Sequence, residues 1–173
     1  MPVLDETSGQ SLQYRQLRKH PKFAHIWNTS YTNELGRLCQ GIGKGLKVPR
    51  QQRVEGTNTF KLIKFADTPQ YRRHEICYSM VVCEFKPHKG DPNRTSITVA
   101  CSQICHPGDV GTPTGSLYLV KLIINSILSR RNARLVSLYL KNFYLQTPMD
   151  QSEYVCIKFS DITQEFIEEY DLS

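Results

Sequence analysis

An α+β fold is what this sequence predicts. Short β-type runs separated by turns occupy residues 58–104, helical spacing brackets them on both sides, and an acidic amphipathic stretch closes the chain. With 173 residues the chain fits one domain, or one domain with a dependent extension. An apolar fraction of 39% can fill a modest core, and 10% aromatics argue against a wholly disordered chain.

Residues 1–10 carry no helical or strand pattern. From 11 to 40 the spacing is helical but broken by Pro21, which ends a first short helix. The second helix places Trp27, Tyr31, Leu35 and Leu38 near one face, three or four residues apart. Gly41, Gly43 and Gly45 stop it and begin a basic loop. That cluster is no phosphate loop, because it lacks the upstream Gly and the GK[ST] ending and no strand precedes it.

Three strands follow in expectation: 59–63 (TFKLI), 78–85 (YSMVVCEF) and 95–100 (TSITVA). The link 86–94 (KPHKGDPNR) holds two prolines and a glycine, so it reads as a polar hairpin loop. Lys86, Lys89 and Arg94, with His88, make it a basic one, suited to phosphate groups or to solvent. Thr112 and Pro113 then open an apolar helix as N-cap and first helical residue. Leu117, Val120, Ile124 and Ile127 repeat at helical spacing, while Leu119, Leu122, Ile123 and Leu128 make the helix apolar nearly all round, which predicts burial on most sides. Residues 135–141 (LVSLYLK) read as a strand. Val136, Leu138 and Leu140 face the apolar helix, and Leu135, Ser137, Tyr139 and Lys141 lie on the mostly polar face. Residues 160–172 read as an acidic amphipathic helix with Ile162, Phe166 and Ile167 on its apolar side. The boundaries that result are a loose N-terminal segment at 1–21, a body at 22–160 and the acidic helix at 161–173.

Charge is spread unevenly. Residues 1–75 carry 13 Lys/Arg against 6 Asp/Glu, residues 76–149 carry 8 against 3, and residues 150–173 carry 1 against 7. A basic body with an acidic end suits a polyanionic partner for the body. The six cysteines do not fit a zinc module: Cys101 and Cys105 have three residues between them and no second close pair follows. The five histidines form no metal-ligand spacing, and no Ser–His–Asp or Cys–His assignment can be argued. The N-terminus lacks the charged start and apolar run of a signal peptide, and no apolar stretch reaches the roughly 20 residues a membrane helix needs. The expectation is an intracellular protein, cytoplasmic or nuclear, with free thiols and no membrane partner.

Three blocks, spanning about residue 22 to about residue 157, resemble the reverse transcriptase of copia-type retrotransposons. The first is Trp27-x-x-Ser30 with Glu34 and Leu38, followed by Gly56-Thr-Asn-Thr-Phe60. The second is Thr95-Ser-Ile-Thr-Val-Ala100 after the basic loop. The third, and the specific one, is Thr112-Pro113 with the apolar helix, Leu138-Tyr-Leu-Lys-Asn-Phe-Tyr-Leu145 and Glu153-Tyr154. The resemblance implies a fingers-like small antiparallel sheet with helices, and the first helix and strand of an incomplete polymerase palm.

In that family palm carboxylates hold two magnesium ions, and Mg²⁺ demands hard oxygen ligands. Where the resemblance places the first palm Asp, this chain has Tyr139, whose phenol is a poor ligand. The family's later Tyr-x-Asp-Asp hairpin does not occur here; Tyr170-Asp171-Leu172-Ser173 is not that motif. The resemblance therefore implies an RNA-directed DNA polymerase fragment that is catalytically inactive alone, with no bound cofactor expected. It implies nucleotide contacts at Lys141 and Asn142 and a sugar-screening aromatic at Tyr144. Ser96 stands where a triphosphate-binding Arg is expected, with Arg94 nearby. Phosphate contacts fall to Lys86, Lys89 and Arg94. Partners are then a template–primer and the remainder of the polymerase. The other reading is a basic nucleic-acid-binding module without enzymatic activity.

Overall fold

The computed structural model describes residues 3–4, 9–43, 54–100, 115–136, 138, 142, 145, 148–149 and 151–172. The fold is mixed α+β, with a small mostly antiparallel sheet and a few helices. Two compact units are present, one made of Met1–Ile104 with Leu145–Ser173 and the other of Cys105–Tyr144.

In the larger unit, α1 (Tyr14–Leu17) ends before Pro21 and buries Tyr14 and Leu17. Helix α2 (Ala24–Leu38) turns Trp27, Tyr31, Leu35 and Leu38 inward, the face that the 3.6-residue spacing predicts. Its last carbonyls, which have no intrahelical partners, are taken up by the segment beyond the basic loop. Thr57 donates to the Arg37 carbonyl at 2.7 Å, Phe60 to that of Leu38 at 2.8 Å and Asn58 to that of Cys39 at 3.0 Å. This bonding corrects the strand expected at 59–63. The Phe60 N–H goes to the helix exit and 59–63 forms no ladder, although Phe60 and Leu62 still alternate into the core. The two-residue strands β1 (Gly41–Ile42) and β2 (Val54–Glu55) pair antiparallel just before that segment.

The main sheet is a long hairpin of β3 (Cys77–Phe85) and β4 (Asn93–Val99), with β5 (Val155–Cys156) added parallel to β3, in the order β4–β3–β5. Ser79 pairs with Val99, Val81 with Ile97 and Cys83 with Thr95, all on the face turned toward α2. Alternation leaves Tyr78, Met80 and Val82 on the outer face, exposed.

The acidic end is shorter as a helix than its pattern predicts. A 3₁₀ turn at Phe159–Asp161 precedes α4 (Gln164–Glu169), with Thr163 extended at the N-cap. Ile162 and Phe166 join Tyr14, Tyr31, Leu35, Cys39 and Ile42 in one core, so the two ends of the unit close on each other. Arg15 clasps the Asp161 carboxylate with both Nε (3.1 Å) and Nη2 (2.8 Å), and Arg18 donates to the Ser160 carbonyl. The acidic segment thus spends part of its charge on basic residues of its own chain.

In the smaller unit, α3 (Leu117–Leu128) starts at Ser116 as N-cap. The expected start at Thr112 and Pro113 lies outside the described residues. None of the α3 side chains is buried, which corrects the expectation of a helix covered on most sides. Among the described residues of 135–141, Leu135, Val136 and Leu138 are neither strand nor buried, so no facing strand is seen to cover it. No helix among the described residues is long and apolar enough to cross a membrane.

Candidate nucleic-acid interface

The β3–β4 hairpin brings the expected phosphate-binding residues to one tip. Lys86 donates its N–H to the Pro92 carbonyl at 2.7 Å, closing the loop, and Lys89 donates to the Lys86 carbonyl at 3.0 Å inside it. The Asp91 carboxylate accepts from the Asn93 N–H at 3.2 Å, the local bond that suits Asp to turns. Lys86, Lys89 and Arg94 are all exposed. Arg94 and Ser96 share the outer face, with buried Thr95 between them.

Glu84 sits among these cations. It is the ladder partner of Arg94, and its carboxylate is 2.7 Å from the Lys86 ammonium. That contact holds the Glu84 carboxyl below its ordinary range. The cations at the tip are therefore partly countered by the sheet's own acid, which lowers the local positive potential without removing it.

A polar relay fixes the loop end of the hairpin to α2. Ser30 donates to the Asn93 carbonyl at 2.7 Å, and the Thr95 hydroxyl donates to Ser30 Oγ at 2.9 Å. Beside it lies a shallow cleft of about 220 Å³, bordered by His25, Ile26, Thr29, Ser30, Asn33, Asp91 and Asn93. Its donors and acceptors are mixed, and Asp91 puts a carboxylate in it.

Tyr139, Lys141 and Tyr144 lie outside the described residues. Asn142 is described, with φ +59°, a left-handed conformation that Asn tolerates better than most residues. Among the described residues no three His, Cys, Asp or Glu side chains gather as a metal site. The position matching the first palm ligand is a phenol.

Sequence reasoning missed the 3₁₀ helix Gln70–Glu75. Its Arg72 is buried. The side chain bonds Glu75 at 2.7 Å and the Ser152 carbonyl at 2.9 Å, lies 3.5 Å from Glu153, and stacks 4.8 Å from the centre of the Tyr154 ring. The run Tyr-Arg-Arg-His at 71–74 was the available signal, but its meaning depends on the three-residue period of the turn. Compared with protein-family models, with curated proteins and with solved structures, the chain shows no significant match.

Proposed function

We propose that this chain is a copia-type reverse-transcriptase-like piece that binds nucleic acid and carries out no nucleotide transfer by itself. The observation that supports binding is the hairpin tip: Lys86, Lys89 and Arg94 point to solvent on a strand pair that Thr95 and Ser30 pin to α2. Exposed cations on a fixed frame attract a phosphate backbone whatever its sequence. Tyr139 supports the second half of the reading. A neutral phenol gives magnesium none of the charge that a carboxylate supplies.

The test is a fluorescence-anisotropy titration of the chain against an RNA–DNA template–primer, run alongside a primer-extension assay with magnesium and all four deoxynucleotides. Binding should weaken steeply between about 50 mM and 200 mM salt, and replacing Lys86, Lys89 and Arg94 by Ala should reduce both the affinity and the salt slope. No extended primer should form. Undetectable binding at low salt, or binding indifferent to salt, defeats the first half. DNA made by the chain unaided defeats the second.

A further inference from the structure

Three-residue periodicity sorts the side chains of the 3₁₀ helix Gln70–Glu75 onto three faces, because residues i and i+3 eclipse. Arg72 and Glu75 share the inward face, where they pair and are clamped to residues 152–154. Gln70 and Arg73 share a second face, and Arg73 lies over the Phe65 ring, 4.6 Å from its centre. Tyr71 and His74 share the third and point outward; Tyr71 is 77% exposed and the His74 side chain 75%. Phe65 is itself 65% exposed.

Two large aromatic rings held open to water on such a short stretch need a reason, since burial of ring surface is favourable. Basic groups accompany them. Exposed Lys61 and Lys64 lead into Phe65, and Arg73 covers one side of its ring. Of the two acids between residues 61 and 78, Glu75 is taken up by Arg72, which leaves Asp67. The inward clamp fixes the turn that carries Tyr71 and His74, so a ligand stacking on Tyr71 has little ordering to impose.

We propose that the surface carrying Phe65, Tyr71, Arg73 and His74 binds single-stranded nucleic acid by stacking bases on its exposed rings while its cations meet the backbone. The chemistry is that of sequence-tolerant single-strand binders, in which every base offers a ring face and Arg adds a cation–π contact. This site deepens the nucleic-acid reading given above and rests on it. It is separate from the hairpin tip and prefers strands whose bases are free.

The experiment titrates the full chain against a labelled oligodeoxythymidylate of about 15 nucleotides and, in parallel, a duplex of the same length. Phe65→Ala and Tyr71→Ala should each weaken the single-strand complex by about tenfold and leave duplex affinity within about twofold, with Tyr71→Phe restoring it. Unchanged single-strand affinity in both alanine variants overturns the proposal, as does a parent chain that binds duplex but not the oligonucleotide. Binding of neither defeats the broader nucleic-acid reading as well. Photocrosslinking of the unmodified chain to a 4-thiothymidine oligonucleotide provides a check free of folding effects. Crosslinked peptides should map to residues 65–74, and crosslinks confined to other peptides overturn the site.

Discussion

The Tyr170 hydroxyl donates to the Gly41 carbonyl at 2.6 Å and accepts from the Gln40 N–H at 3.0 Å, joining residues about 130 positions apart. Gln40 and Gly41 form the exit of α2, and the Tyr170 ring stacks on Phe166 of α4 at 4.2 Å. Tyr170→Phe keeps the stack and removes both bonds, orphaning a partly buried amide. We expect a loss of about 1–3 kcal/mol in urea unfolding. A variant as stable as the parent would show that water replaces the phenol without penalty.

Tyr31 makes the opposite case. Its ring is fully buried in the core, and among the described residues its hydroxyl has no hydrogen-bond partner. Burial pushes its phenol well above the ordinary range. Removing an unsatisfied hydroxyl relieves desolvation, so Tyr31→Phe should be neutral or stabilising by up to about 1 kcal/mol. A clear drop in the unfolding midpoint would mean that the hydroxyl is satisfied in solution.

Gly56 packs directly against the backbone at the exit of α2. A Cβ there would overlap the backbone of Cys39, Gln40 and Gly41, all main-chain atoms that cannot swing aside. Gly56→Ala should cost more than about 3 kcal/mol, because the strand β2 and the α2 exit must separate. Gly90, at the hairpin tip, has open space around it. Gly90→Ala should stay within about 0.5 kcal/mol. Equal effects from the two substitutions in denaturant titrations would refute the close approach.

Local periodicity made part of this fold legible. The inward face of α2 follows from spacing alone, and the β3–β4 hairpin follows from alternation around a Pro/Gly-rich link. What the pattern could not show was the choice of partner. Phe60 has strand-like alternation, yet its N–H is consumed by the Leu38 carbonyl at a helix end. The docking of α4 through Tyr170 and Asp161 depends on pairs more than 120 residues apart, which no window of sequence encodes. The basic tip was readable because loop cations such as Lys86 and Lys89 face solvent almost by default, and alternation turns Arg94 of β4 outward. The Tyr71–His74 surface was not, since its phase is set by a 3₁₀ turn and by the burial of Arg72.

Buried thiols give the protein an alkaline limit. Burial pushes the Cys39 and Cys83 thiols up to about 11 from an ordinary 9.0, and the phenols of Tyr14 and Tyr31 move in the same direction. A folded-state value above the unfolded one means that the unfolded chain loses its protons first. Stability is therefore whole below about pH 9 and falls as pH climbs toward 11, by at most about 1.4 kcal/mol per pH unit for each thiol. Urea midpoints measured between pH 8 and pH 10.5 should decline, and Cys39→Ala should flatten the decline. A level profile would show that these thiols ionise freely in the fold.

Glu84 is an acid lodged among the hairpin cations. Its carboxylate holds Lys86 at 2.7 Å and faces Arg94 across the ladder. A phosphate approaching this tip must compete with it for Lys86, so the acid acts against polyanion binding. Glu84→Gln keeps the side-chain shape and releases the ammonium. Duplex affinity should rise a few-fold at low salt, and the plot of log affinity against log salt should steepen by about 0.9, the increment for one further phosphate contact. Lowering the pH should mimic the substitution in the parent but not in the variant, because protonation of Glu84 frees the same lysine. Since Lys86 holds the carboxyl below its usual range, that gain comes only under clearly acidic conditions. An unchanged salt slope in Glu84→Gln would place the phosphate contacts away from Lys86 and move the interface off the hairpin tip.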